Sequence, residues 1–441
     1  MKVCRRWRYL ILGSATHLGL CLVCSRGTPV AEMLAHSPPL PLIIDHNDEN
    51  QGLTAEDEKG IMFALQHRDR VRRIYLDKSI PCLQKLITAM DDQFPMLEYL
   101  YITPPTKHDA RLALPSTFEA PQLSHLVLNH FASPIGSLLL TTAVSLVTLS
   151  LRRIHPWTNL CPNHLFPVLP LLPQLQDLEI TFSSPVPNHE IERHMLRIPN
   201  MTYTTLPNLR SFGFGGVSAY LEAFLSHMNA PLLETLNLSF FNQLSFSVPN
   251  LLQFVTTTEN LRASSVRFLF RHKAVTVSMY LSVTALRHTL SIYVGCDHLD
   301  WQVSSMAQIF NVLGPLFSAV VNLTLDYKSH TLSSESHNQA DPTQWRKLLG
   351  SFRNVETLRI HDGLVGELSH CLALDGEPPS EILVELKTLV CPMGRRDDKT
   401  FATFVDDREV AGLPIELIED VFPAGTFESR WHTLAGVENV S

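Results

Sequence analysis

Long apolar runs, an excess of one charge, and paired cysteines are all scarce in this chain of 441 residues. No stretch supplies the roughly 20 predominantly apolar residues that a helix needs to cross a bilayer. The nearest, MKVCRRWRYLILGSATHLGLCLVC from Met1 to Cys24, is interrupted by Ser14, Thr16 and His17. Its arginines alternate with apolar residues, and no small-x-small site stands near Cys24, so neither a secretory signal nor an anchor is expected. Charged residues are 18% of the chain and hydrophobic ones 45%, with a mean hydropathy of +0.06. That balance supplies a core throughout and argues against long disorder. A formal net charge of −8 and a pI of about 6.2 exclude the basic face that phosphate backbones require. Of eight cysteines, Cys82, Cys161, Cys296, Cys371 and Cys391 stand singly at wide spacing, which is no disulfide framework and fits a reducing compartment, cytoplasmic or nuclear.

Catalytic spellings are missing as well. Neither G-x-x-x-x-G-K-[ST] nor G-x-S-x-G occurs. In NHEIERH, His194 follows His189 by five positions instead of four. On a helix that spacing turns it about 140° out of line, so no shared metal is expected. Cys21-x-x-Cys24 has no second ligand pair, and His17 alone does not complete a zinc site. Gly213, Gly215 and Gly216 follow a strand, yet the third glycine of a dinucleotide fingerprint falls on Ser218, so the glycines are expected to serve a tight turn. The sequons at Asn200, Asn237, Asn322 and Asn439 include two inside predicted strands, and glycosylation is not expected. No catalytic, cofactor-binding or metal-binding residue is assigned, and the chain does not read as an enzyme.

What is present is a repeat. APQLSHLVL at Ala120–Leu128 places apolar residues at Leu123, Leu126 and Leu128, with Pro121 two residues before the first. FPMLEYLYI, LPQLQDLEI, LPNLRSFGF and APLLETLNL restate it at Phe94, Leu172, Leu206 and Ala230. Copies without that proline lie at Val71/Ile74/Leu76, Leu146/Leu149/Leu151, Val320/Leu323/Leu325, Val355/Leu358/Ile360 and Leu386/Leu389/Cys391. The gaps run from about 23 to 35 residues, the period of a leucine-rich repeat. The expected fold is therefore α/β: a leucine-rich-repeat solenoid over 61–425, with a curved parallel sheet and helices on the convex side. A linker and the entry to the solenoid occupy 31–60, and 426–441 form a C-terminal tail. Apolar stripes at Leu83/Leu86/Ile87/Met90, Leu221/Phe224/Leu225/Met228 and Trp345/Leu348/Leu349/Phe352 predict helices on the return segments. Asp341-Pro342 predicts a helix start. The pattern fades between Leu244 and Gly314, where VRFLF and LSIYV predict strands of irregular repeats. LPIELIEDVF at Leu413–Phe422 predicts a terminal strand and capping turn.

Residues between the triplet positions point to the concave side. They include Arg73, Tyr75, Asp77, Tyr99, Tyr101, His125, Asn129, Arg152, Asp177, Glu179, Arg359 and His361. A mixed polar surface with tyrosine and arginine is typical of protein-binding faces, so a protein on the concave face, contacting Tyr75, Tyr99, Tyr101, His125, Arg152, Asp177 and Arg359, is the expected partner. No nucleic acid or membrane is expected.

VCRRWRYLI at Val3–Ile11 resembles the closing third of an F-box, with its valine-cysteine pair, basic residues and tryptophan. The apolar His17–Leu22 segment resembles the strand that leaves such a box, and Ser37-Pro38-Pro39-Leu40-Pro41-Leu42 the linker of fungal F-box proteins with leucine-rich repeats. LQHRDRVRRIYL, FPMLEYLYI and FFNQLSFSVPNLLQF extend the likeness along the chain. The resemblance implies a short helical F-box remnant over 1–30, without the Leu-Pro-x-Glu opening. It also implies selection of substrates for ubiquitin transfer in an SCF-type ligase, with Val3, Trp7 and Leu10 docking a Skp-type linker and through it a cullin. The same residues could instead cap the first coil. A binding module without a ligase link, a fragmentary gene product and a secreted repeat receptor are the other readings.

Overall fold

The computed structural model describes residues 20–47, 53–104, 112–132, 137–154, 165–183, 203–241, 243, 245–328, 340–372, 382–392 and 401–420. The chain divides into two compact units, Met1–Arg262 with Thr289–Ile292, and Ala263–His288 with Tyr293–Ser441.

The first unit contains strands β1 (Leu22–Cys24), β2 (Leu42–His46), β3 (Val71–Asp77), β4 (Tyr99–Thr103), β5 (His125–Asn129), β6 (Thr148–Ile154), β7 (Asp177–Phe182), β8 (Thr204–Thr205), β9 (Ser211–Gly216), β10 (Met228–Asn229) and β11 (Thr235–Phe240). Apart from β8 and β10, which pair with each other, they lie side by side in chain order, all parallel. Because alternate residues of a strand share a face, the last two apolar residues of each triplet fall into two rows across the sheet. Ile74, Leu100, Leu126, Leu149, Leu178, Phe212 and Leu236 form one row, and Leu76, Ile102, Leu128, Leu151, Ile180, Phe214 and Leu238 the other. All are buried, each contributing roughly 1.5–3 kcal/mol of transfer free energy.

The repeated proline has a local cause. In Phe94-Pro95-Met96-Leu97, Ala120-Pro121-Gln122-Leu123 and Ala230-Pro231-Leu232-Leu233, the N–H of the first triplet leucine donates to the carbonyl three residues back, at 3.2, 3.0 and 3.2 Å. Proline sits at the second position of the turn, where its fixed φ is preorganised. The next residue donates to the preceding coil, as Glu98 N does to Arg72 O and Glu234 N to Arg210 O (2.8 and 2.7 Å), so the turn hands the chain into register.

The sheet starts ahead of residue 61. Leu42 and Ile44 are buried while Asp45 is exposed, and β2 pairs with both β1 and β3. The stretch expected to be box remnant and linker thus supplies two coils from Leu22 onward, with helices Val30–His36 and Ala55–Gln66. The prolines do not break the ladder because Arg70 reaches back across them, its Nε and Nη2 donating to Leu40 O and Pro38 O at 3.1 and 3.2 Å. The helix Ala55–Gln66 opens on a capping box between Thr54 and Asp57, which satisfies N–H groups that the first turn would otherwise leave open. The other return segments include helices Ile80–Thr88, Leu138–Thr142, Ser218–Leu225 and Pro249–Thr257. The stripes at Leu83/Leu86/Ile87 and Leu221/Phe224/Leu225 are buried on them, whereas Met228 lies past its helix in β10.

The second unit contains β12 (Ser265–Arg271), β13 (Ala274–Tyr280), the end of β14 (Leu290–Gly295), β15 (Asn322–Lys328), β16 (Thr357–Ile360), β17 (Thr388–Pro392) and β18 (Glu416–Asp420). β13 pairs antiparallel with β12, and from β12 through β15, β16 and β17 to β18 the pairing is parallel. The triplet fades here because β12 returns through the short turn at His272 and Lys273 without a helix. Phe268, Phe270, Phe310, Phe317, Trp345 and Phe352 pack into one aromatic core, with ring centroids 4.8 to 5.8 Å apart for Phe310–Phe317, Phe317–Phe352, Phe268–Phe310, Phe270–Trp345 and Phe268–Phe352. Tilted and edge-on pairs at such separations add to what burial alone contributes. Helix Pro342–Leu349 starts as expected, with Asp341 Oδ1 accepting from Thr343 N at 2.9 Å in the manner of an N-cap. Within LPIELIED, Glu416–Asp420 form β18, the last strand among the described residues. Among the described residues no helix is long and apolar enough to cross a membrane.

Candidate functional site

The open face of the first unit's sheet is set by the same alternation that fills the core. Arg73, Tyr99, His125, Thr148, Asp177, Ser211 and Thr235 align across β3 to β11 as one row, and Tyr75, Tyr101, Val127, Ser150, Glu179, Gly213 and Asn237 as the next. Tyr75, Tyr99, Tyr101 and His125 are each half-buried and form a contiguous group. The Tyr75 and Tyr99 rings stack at 4.5 Å, Tyr99 and His125 at 5.4 Å, and Tyr75 lies 6.3 Å from Tyr101. His125 Nδ1 lies 2.8 Å from the Ser124 hydroxyl, which fixes the ring's orientation. Burial raises the Tyr99 hydroxyl above its ordinary value, so it stays protonated and can donate.

Beside the aromatic group stands an organised carboxylate. Arg152 Nε and Nη2 both reach Glu179 Oε2 at 2.8 Å, and the Ser150 hydroxyl donates to the same oxygen at 2.8 Å. Asp177, two residues away on the same face, is exposed and accepts a long hydrogen bond of 3.4 Å from Thr148. The glycines of β9 belong to this arrangement and not to a turn. A Cβ on Gly213 would come within 3.1 Å of Glu179 Cγ, and one on Gly215 within 2.9 Å of Thr181 Cγ2. Side chains leaning over from β7 leave no room there, and neither residue has a positive φ of the kind that makes glycine necessary in a tight turn.

Five of the expected contacts, Tyr75, Tyr99, Tyr101, His125 and Arg152, thus share one face with Asp177. Arg359 does not join them: it is exposed on β16 of the second unit, aligned with Thr324 and Val390. Its neighbours there include an ion pair between Arg267 and Asp326. Asp77 lies on the strand as expected but is only 3% exposed, so it offers little to a partner. Asp45 also belongs to the face, and sequence reasoning misses it because its strand lies in the stretch expected to be linker. The alternation Leu42-Ile43-Ile44-Asp45 carries the signal. Val3, Trp7 and Leu10, and with them His189, Glu190 and His194, lie outside the described residues. Among the described residues no group of three or more histidines, cysteines or carboxylates could hold a metal ion. Cys21, Cys24, Cys82, Cys296, Cys371 and Cys391 are free thiols.

No family model matches the chain, and no curated protein matches it. Among solved structures, the leucine-rich repeat-containing protein LegL7 from Legionella pneumophila aligns over 89% of this chain and 98% of its own, with 12% sequence identity and a TM-score of 0.28.

Proposed function

We propose that the chain is a non-catalytic interaction scaffold whose first unit binds a protein partner on the open sheet face spanning β3 to β11. The observation that carries this reading is the contiguous group Tyr75, Tyr99, Tyr101 and His125, half-buried on a sheet whose opposite face is filled with leucine. Tyrosine offers large contact area at low conformational cost, and with arginine it dominates the energetics of interfaces. A photo-crosslinking side chain placed at Tyr101 tests it, with one placed at Gln84, exposed on the helix Ile80–Thr88, as the control. Protein adducts should form from position 101 and not from 84. Equal yields from both positions would remove the face from consideration.

The finer reading is that this partner is the substrate of an SCF-type ubiquitin ligase. It is supported by the resemblance of VCRRWRYLI to the end of an F-box, with Val3, Trp7 and Leu10 as the contacts for a Skp-type linker. A pull-down with the purified linker decides it. Retention of this chain supports the adaptor role, whereas no retention, alongside retention of the same chain fitted with a complete box, sinks it.

A further inference from the structure

We propose that the occupant of the first unit's sheet face is an extended basic segment of a partner protein, its arginine or lysine side chains set against Tyr75, Tyr99 and Tyr101 and opposite Asp45 and Asp177. This inference rests on the binding reading above and adds the chemistry of the ligand.

The charges of the face point that way. Asp45, Asp77, Asp177 and Glu179 stand against Arg73 and Arg152 on β2, β3, β6 and β7. Arg152 is committed to Glu179, Arg153 at the end of β6 is turned to His130 with Nη1 3.5 Å from its Nε2, and Asp77 is buried, which leaves the exposed Asp45 and Asp177 against the exposed Arg73. Glu179 adds an acceptor. Its Oε2 is filled by three donors, while Oε1 has no hydrogen-bond partner among the described residues, so a donor can be accepted there without breaking the existing pair. The tyrosine rings supply the second element that a cation uses, an electron-rich aromatic surface that favours guanidinium or ammonium over carboxylate. A ligand bearing acidic or phosphate groups would meet these carboxylates with Arg73 as the exposed cation in the two described rows from β3 to β11.

The geometry sets the length. The seven strands from β3 to β11 lie about 4.8 Å apart, so the face is about 29 Å across, the span of about nine extended residues. Gly213 and Gly215 on β9 add no side chains to its far end; Glu179 and Thr181 lean into that space instead, which places the Glu179 carboxylate over β9.

The test uses the full chain and a fluorescent peptide of about nine residues in which arginine alternates with glycine or serine, beside the same peptide carrying glutamate, read by anisotropy at low and moderate salt. The arginine peptide should bind and the glutamate peptide should not. Asp45→Lys with Asp177→Lys, and separately Tyr99→Ala, should each weaken the arginine peptide by about tenfold, in keeping with the worth of exposed ion pairs and cation–π contacts. Arg73→Glu should tighten it. Asp406→Lys with Glu409→Lys, both exposed on the helix Ala402–Val410 and an equal change of net charge, should leave it unchanged. Tighter binding of the glutamate peptide, or weaker binding of the arginine peptide after Arg73→Glu, overturns the basic assignment while the face remains a binding face. An arginine peptide that responds equally to the Asp406/Glu409 pair and to the Asp45/Asp177 pair is held by net charge alone, which also overturns it. The binding reading itself falls on the crosslinking result at Tyr101, so the two failures are told apart.

Discussion

Leu126 and His125 are adjacent in the chain and opposite in surroundings. Leu126 is fully buried between Leu100 and Leu149, whereas His125 stands on the open face against Tyr99. Leu126→Ala should therefore cost about 2–5 kcal/mol, the usual toll of emptying a packed leucine site, and Leu126→Asp more, since it also strands a charge. His125→Ala should cost less than about 1 kcal/mol, because it removes only a ring contact and a hydrogen bond at a half-exposed site. Urea titration of the three variants checks the register, and comparable losses from both positions would contradict it. The thiols give a second residue-scale prediction. Burial pushes Cys24 and Cys391 up to about 11 and Cys296 and Cys371 up to about 12. At pH 8 the first two are thiolate in only about one molecule in a thousand and the last two in about one in ten thousand. N-ethylmaleimide should leave these four unlabelled in the native protein and label them in denaturant, as read by peptide mass spectrometry. Native labelling of Cys296 at the denatured rate would show that the segment following β14 is open.

At the scale of elements, the last coil among the described residues depends on one cation that the sequence does not announce. Arg408, on the helix Ala402–Val410, is 0% exposed. Its Nη1 donates to Ile382 O and Leu383 O at 3.4 and 3.2 Å, and its Nη2 to Val384 O and Leu386 O at 3.0 and 3.3 Å, with the Phe404 ring 5.8 Å away. Leu383 takes a φ of 51° in the loop that turns these carbonyls inward. A leucine adopts that conformation only under constraint. Arg408→Leu should cost about 3 kcal/mol or more, because four carbonyls lose their donor at once and a buried group left unsatisfied costs about 1–3 kcal/mol. Hydrogen exchange should quicken first in β17 and β18; a change no larger there than in β5 would separate Arg408 from that coil. The arginine was not legible because its partners are backbone carbonyls, which any residues supply. The triplets were legible because their spacing is local, and so was the turn proline. The β12–β13 hairpin was only half so, since antiparallel return needs no helix and no triplet. The role of the β9 glycines escaped because the crowding comes from Glu179 and Thr181, more than thirty residues earlier in sequence.

For the molecule as a whole, acid should be felt well before its carboxylates are neutralised. His46 at the end of β2 and His288 before β14 are both held below the ordinary histidine value of 6.5 by burial; at His46, Lys78 adds to this while Asp57 and Asp45 oppose it. A histidine whose pKa is depressed on folding binds its proton more readily in the unfolded chain. Its contribution to stability is therefore complete above pH 6.5 and declines as pH falls from there toward the folded value. Asp57 acts later. Its carboxyl is lowered chiefly by the Thr54 hydroxyl, with further help from the Gly27 and Thr54 N–H groups against the cost of burial, so its contribution persists until pH falls below the ordinary 3.8. Two separated steps follow: a loss of a few degrees in melting temperature between pH 7.5 and 5.5 from the histidines, and a steeper one below about pH 4 from Asp57. Whatever His46→Gln combined with His288→Gln does to the starting temperature, the decisive quantity is the difference between the two pH values, which should shrink while the step below pH 4 persists. Scanning calorimetry at pH 7.5, 5.5 and 3.5 reads both steps. An unaltered difference between pH 7.5 and 5.5 in the double variant would assign the first step to other groups.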